Sequence, residues 1–129
     1  MFLYNFLDLE RFRWEGPDGI GTGKHTIVFD FAYDGPGFGK GGTDVLKVDG
    51  KEVARQTVPH TIPCLMTVDE SFDVGVDLRT GVNDKDYQVP FRFTGTLDKL
   101  TYKLEPLSLS TEDQKTLGDA KKAVASRIQ

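Results

Sequence analysis

Residues 24–34 constrain the fold more than any other stretch of the chain. His25, Ile27, Phe29, Phe31 and Tyr33 alternate with Thr26, Val28, Asp30, Ala32 and Asp34. Apolar and aromatic side chains at every second position put one face of a strand against a core and the other towards water. A second such signal follows in Val45-Leu46-Lys47-Val48-Asp49-Gly50-Lys51-Glu52-Val53-Ala54. Asp-Gly between two β-rich runs favours the positive φ angles of a two-residue hairpin turn, so this segment predicts two antiparallel strands.

The rest of the first 106 residues repeats the theme. Residues 2–7 and 9–15 read as two more strands, ending at Gly16-Pro17. Residues 57–67 are extended but contain Pro59 and Pro63, which donate no backbone hydrogen bond and place that strand at an edge or a bend. Residues 72–77 alternate again, and residues 91–97 and 100–104 form a closing pair. Seven or eight short strands with a turn signal about every ten residues predict an all-β, two-sheet antiparallel sandwich over residues 1–106.

Beyond Pro106 the β-rich runs stop. Ser110-Thr111-Glu112-Asp113 has the form of an N-terminal capping box, and a helix is expected from there to Gln129. Leu117, Ala120, Val124 and Ile128 make a thin apolar stripe at helical spacing. Residues 107–129 are therefore expected as a helical tail that packs on the sandwich or on a partner.

Charge and composition exclude several function classes. Sixteen Lys and Arg stand against twenty Asp and Glu, and no basic patch of the kind that neutralises phosphates is visible, so no nucleic acid is expected as a partner. No apolar run approaches the length needed to span a bilayer, and no membrane association is expected. Residues 1–8 lack a basic start, and Asn5 and Asp8 interrupt their apolar run, so they read as a strand and not as a secretion signal. A single cysteine, Cys64, forms no internal disulfide.

Candidate chemistry is sparse. Gly37-Phe38-Gly39-Lys40-Gly41-Gly42 satisfies the glycine spacing of a dinucleotide loop, but a hairpin follows where the phosphate needs a helix N-terminus. Residues 19–24 imitate the end of a phosphate-binding loop, with His25 where Ser or Thr belongs. Cys64 has no local base or cation to activate it and reads as a structural thiol. His25 reads as a histidine of the core or its rim. The two histidines make no zinc spacing with that cysteine.

Residues 69–86 hold six acidic side chains against Arg79 and Lys85. Asp84 and Asp86, beside Asn83, are the candidate ligands should this loop take Ca²⁺, which favours clustered hard oxygens; solvated loops have the same composition. No cofactor is expected apart from that weak Ca²⁺ candidate, and no catalytic residue is identified.

Several strings, in order, resemble the C-terminal region of large bacterial arylsulfatases. They are Tyr4-Asn5-Phe6-Leu7-Asp8-Leu9-Glu10-Arg11, Gly23-Lys24-His25-Thr26, Tyr33-Asp34-Gly35, Gly39-Lys40-Gly41-Gly42-Thr43 and Leu46-Lys47-Val48-Asp49-Gly50-Lys51. Asp69-Glu70-Ser71-Phe72-Asp73-Val74-Gly75 and Phe93-Thr94-Gly95-Thr96-Leu97 continue the likeness, which runs over most of residues 2–106. Pro63-Cys64-Leu65-Met66 departs from the Phe-rich pattern expected there.

The resemblance implies a jelly-roll sandwich similar to concanavalin A-like and laminin G-like domains. It also implies a role as the non-catalytic C-terminal accessory domain of a sulfuric ester hydrolase. In such enzymes a Cys or Ser in Cys/Ser-x-Pro-x-Arg becomes formylglycine upstream, and this chain has no such motif, so no catalytic residue is transferred. The expected partner is the parent catalytic domain or a neighbouring subunit, in the bacterial cytoplasm or periplasm. The alternative is a free-standing carbohydrate-binding, lectin-like module that uses Trp14, Tyr33, Phe38 and Tyr87 as sugar platforms.

Overall fold

The computed structural model describes residues 1–63, 72–105 and 109–125. Cys64, the end of the proline-bearing strand, Asp69, Glu70 and Ile128 lie outside the described residues, as does the side chain of Val124.

The chain is mostly strands in small antiparallel sheets, with one C-terminal helix. Strands β1 (Phe2–Phe6) and β2 (Glu10–Trp14) form a hairpin in which Phe2 pairs with Trp14 and Phe6 with Glu10. Strands β3 (Ile27–Tyr33), β4 (Lys40–Val48) and β5 (Lys51–His60) form a three-stranded meander with β4 in the centre. Pro59 lies on β5, an edge strand, where its missing donor costs no ladder bond. The β4–β5 turn has Asp49 at φ 51° and Gly50 at φ 80°, the left-handed pair that the Asp-Gly sequence supplies.

Register decides which side chains face the core. Phe29 pairs with Leu46, Phe31 with Asp44 and Tyr33 with Gly42; across the sheet Leu46 pairs with Ala54 and Gly42 with Val58. Directly paired residues share a face, so the alternating aromatics of β3 lie on one side of the sheet, as their spacing predicts. A β-bulge beside Leu46 and Lys47 shifts β5 by one residue. The adjacent Val53 and Ala54 consequently both pack towards the core, which a regular strand would forbid.

The β1–β2 hairpin lies against that face. Trp14, Leu46 and Val58 are the buried centre, and Tyr4, Phe12, Phe29, Val53 and Ala54 pack around them. Phe2 stacks on Phe29 at 3.6 Å between ring centres, and Trp14 meets Phe29 edge-on at 5.2 Å. The Ile62 amide donates to the Tyr4 hydroxyl at 2.9 Å, and His60 Nε2 lies 2.7 Å from Glu10 Oε2. These contacts tie the hairpin to the end of β5.

The second half is less regular than its alternation suggests. Among its described residues, only Val76–Asp77 (β6) and Phe91–Arg92 (β7) form a ladder, each two residues long. Residues 93–105 contain no strand, so the closing pair expected at 91–97 and 100–104 reduces to Phe91 and Arg92. Leu97, Leu100, Tyr102 and Leu104 are all exposed there. A strand is stabilised by a neighbour that takes its hydrogen bonds and covers one face, and alternation alone provides neither.

Helix α1 (Thr111–Ala125) begins where the capping box predicts. The Asp113 amide donates to Ser110 Oγ at 3.1 Å, and the Ser110 hydroxyl donates to Asp113 Oδ2 at 2.5 Å. Its first turn comes close to the glycine loop: a Cβ added at Gly37 would lie 3.2 Å from Asp113 Oδ2. Leu117, on the predicted stripe, is exposed. Among the described residues, no helix is long and apolar enough to cross a membrane.

Candidate functional site

Between the β1–β2 hairpin and the core face of the meander lies a half-open cavity of about 320 Å³. Phe2, Tyr4 and Trp14 line it from the hairpin, and Phe29, Phe31, Asp44 and Val58 from the meander. Thr61 and Ile62 close one side. Phe2 and Phe31 are exposed, whereas Trp14, Asp44 and Val58 are buried. The volume falls at the lower end of the range in which small-molecule sites occur.

Asp44 is the unusual member. It is 1% exposed, its Oδ1 is sealed, and that oxygen has no hydrogen-bond partner among the described residues. Burial pushes its carboxyl up to about 6. The register explains the placement: Asp44 pairs with Phe31 on β3 and Gln56 on β5, and it shares the face of Leu46. Close approach is possible because the next residue on that face is Gly42. A Cβ there would stand 2.4 Å from Phe31 Cε2 and 2.7 Å from the Ala32 carbonyl oxygen. Trp14 Nε1 is a second buried polar atom without a partner among the described residues. Buried carboxyls and indole N–H groups are normally satisfied, so two open ones beside one cavity distinguish it from ordinary core.

The sequence-derived candidates do not assemble here. Trp14, expected as an exposed ring, is 1% exposed and at the centre of the core, which corrects its assignment as a sugar platform. Tyr33 donates its hydroxyl to the Gly37 carbonyl at 2.6 Å and accepts the Lys40 amide at 3.0 Å, bracing the glycine loop. Phe38 is exposed on that loop. Tyr87 donates to Asp77 Oδ2 at 2.5 Å and packs on Phe91, within the β6–β7 region. The glycine loop leads into β4 and not into a helix, as its sequence context indicates.

Asp86 is occupied by protein groups. Arg13 Nη1 donates to its Oδ1 at 2.7 Å and Asn83 Nδ2 to its Oδ2 at 2.8 Å, and these bonds hold its carboxyl below the usual range. A Cβ at Gly81 would lie 3.2 Å from Asp84 Oδ1. Among the described residues, no group of three or more His, Cys, Asp or Glu is placed to hold a metal ion. The acidic loop instead ties 82–86 to the first hairpin, since Asn5 Nδ2 also donates to the Val82 carbonyl at 3.1 Å.

His25 precedes β3 and does not belong to it. Its Nδ1 lies 2.8 Å from Asp49 Oδ2 and its Nε2 3.2 Å from the Gly21 carbonyl, while Asp49 Oδ1 accepts the Thr26 amide at 2.8 Å. Two acceptors facing both ring nitrogens suit the doubly protonated ring, and the Asp49 bond raises the His25 pKa. This is a clasp between the β3 entry and the hairpin turn.

The chain matches no family model, no curated protein and no solved structure. The chemistry of the site therefore rests on its own residues. The cavity offers aromatic walls and, among the described residues, one buried carboxyl. That arrangement can hold a ligand.

Proposed function

We propose that this chain is the non-catalytic C-terminal accessory domain of an arylsulfatase-like sulfuric ester hydrolase. In this reading its two β layers belong to a jelly-roll sandwich similar to concanavalin A-like and laminin G-like domains. Its uncovered apolar side chains pack on the catalytic domain or on a neighbouring subunit.

The observation that supports docking is the number of large apolar side chains left exposed among the described residues. Phe72, Phe91, Phe93, Tyr102 and Leu104 are all exposed in the second half, and Ile27 and Phe31 on β3. Covering such side chains on a partner is favourable by about 25 cal/mol per Å² of apolar surface removed from water. The sulfatase assignment itself draws on the ordered strings of residues 2–106.

The lectin-like alternative requires three or more of its rings on one exposed face. With Trp14 in the core and Tyr87 bonded to Asp77, only Tyr33 and Phe38 remain close together.

The reading makes a direct demand on activity. Incubated with an aryl sulfate, the purified chain releases phenol no faster than buffer. Turnover at a rate comparable to a sulfatase overturns the non-catalytic assignment.

A further inference from the structure

The Asp44 cavity has a chemistry that the accessory-domain reading does not use. Its walls carry five aromatic rings, Phe2, Tyr4, Trp14, Phe29 and Phe31, and one carboxyl, Asp44, which is buried in the lining and whose sealed Oδ1 has no hydrogen-bond partner among the described residues. Consider what each class of occupant does for that carboxyl. A purely apolar ligand fills the volume and leaves Asp44 unpaired. An anion is repelled by it. A cation meets a buried opposite charge and, around it, the negative faces of aromatic rings, both of which attract positive charge most strongly where water is excluded.

Size narrows the class further. A cavity of about 320 Å³ accommodates a single ring or a short alkyl stem with its charged head, and not a chain of linked rings. The exposed Phe2 and Phe31 leave a route in from solvent, while Asp44 and Val58 lie buried.

We infer that the cavity between the β1–β2 hairpin and the β3–β5 meander binds a small organic cation, an ammonium or guanidinium on a single aromatic or short alkyl body, with Asp44 as its counter-charge. This goes beyond the sulfatase reading and does not depend on it. The cation arrives either as a free amine or as the Arg or Lys side chain of an adjoining polypeptide.

The chain supplies its own reporter, because Trp14 is its one tryptophan and lines the cavity. Titrate the full chain at pH 7.5 with phenethylammonium chloride and with its neutral isostere 2-phenylethanol, following Trp14 emission and heat. Repeat both with Asp44→Asn, which removes the buried charge with little change of shape. The ammonium is expected to bind saturably and to lose at least about tenfold in affinity in Asp44→Asn, while the alcohol binds both proteins alike. Thermal melts of both proteins separate lost binding from lost fold.

Equal affinity for ammonium and alcohol in the unmodified chain overturns the inference. So does an Asp44→Asn variant, still folded, that binds the ammonium as before. A parallel titration with Nα-acetylarginine amide distinguishes the sources. Tighter binding than phenethylammonium assigns the site to a polypeptide side chain, and weaker binding to a free amine; both support a cation site. Absence of saturation by either cation at tens of millimolar also overturns the inference.

Discussion

Asp44 shows how a single buried charge shapes stability. Its folded pKa of about 6 exceeds the ordinary carboxyl value near 3.9, so the folded state prefers the protonated acid. Stability is therefore fullest below the ordinary value, falls as pH rises from there to about 6, and is flat above. Replacing the charge with an apolar side chain removes this cost. Asp44→Leu is expected to stabilise the chain by about 2 kcal/mol at pH 7.5, the advantage shrinking as pH falls towards 4. Urea unfolding at both pH values checks it, and an Asp44→Leu protein that is less stable at pH 7.5 contradicts it.

The His25–Asp49 clasp has the opposite signature. The Asp49 bond raises the His25 pKa, so this contribution is complete below about 6.5 and is lost as pH rises through the higher folded value. Asp49 itself is held down by His25 and the Thr26 amide, so its contribution is present above about 3.9 and is lost as pH falls through the depressed folded value. The clasp is thus strongest between those limits. Asp49→Asn keeps a residue suited to φ 51° and removes the charge. The fall in melting temperature from pH 6 to pH 8 should be shallower in Asp49→Asn than in the unmodified chain. An unchanged slope would show that the clasp carries no charge interaction.

At the scale of elements, two glycines separate local from tertiary constraint. Gly50, at φ 80°, has nothing within 4 Å of an added Cβ, so Gly50→Ala meets only backbone strain and is expected to cost about 1 kcal/mol. Gly42 has no such φ constraint, but an added Cβ would collide with Phe31 and the Ala32 carbonyl. Gly42→Ala is therefore expected to cost about 3 kcal/mol and to disturb the Asp44 cavity with it. Equilibrium unfolding of the two variants should rank them in that order, and the reverse order refutes the packing argument.

Much of the meander is legible in the residue pattern alone. Alternation places Ile27, Phe29, Phe31 and Tyr33 on one face, and Asp49-Gly50 marks the turn, because both signals are local. The first hairpin and the helix start are legible for the same reason. The site is not. The β-rich run begins at Val45, one residue past Asp44, since Gly41 and Gly42 lower the local β preference. Only pairing with Phe31 shows that Asp44 shares the face of Leu46. The bulge that turns Val53 and Ala54 inward is likewise a property of two strands together. In residues 93–105, alternation overstates order: after Phe93, whose amide donates to the Gly75 carbonyl at 2.9 Å, no strand forms.

For the whole molecule, a small core coexists with an open exterior. Trp14, Leu46 and Val58 anchor one compact region, whereas the apolar side chains of the described residues 72–104 remain largely uncovered. The exposed apolar side chains of that second half are the feature that most needs an explanation. On the proposed accessory-domain reading, docking on a catalytic domain accounts for it, and that domain would carry the Cys/Ser-x-Pro-x-Arg motif that this chain lacks. The most direct test is to read the native DNA upstream of the Met1 codon in frame. The accessory-domain account predicts an open frame of several hundred codons containing that motif. An in-frame stop codon close upstream, with no start between it and Met1, would contradict it.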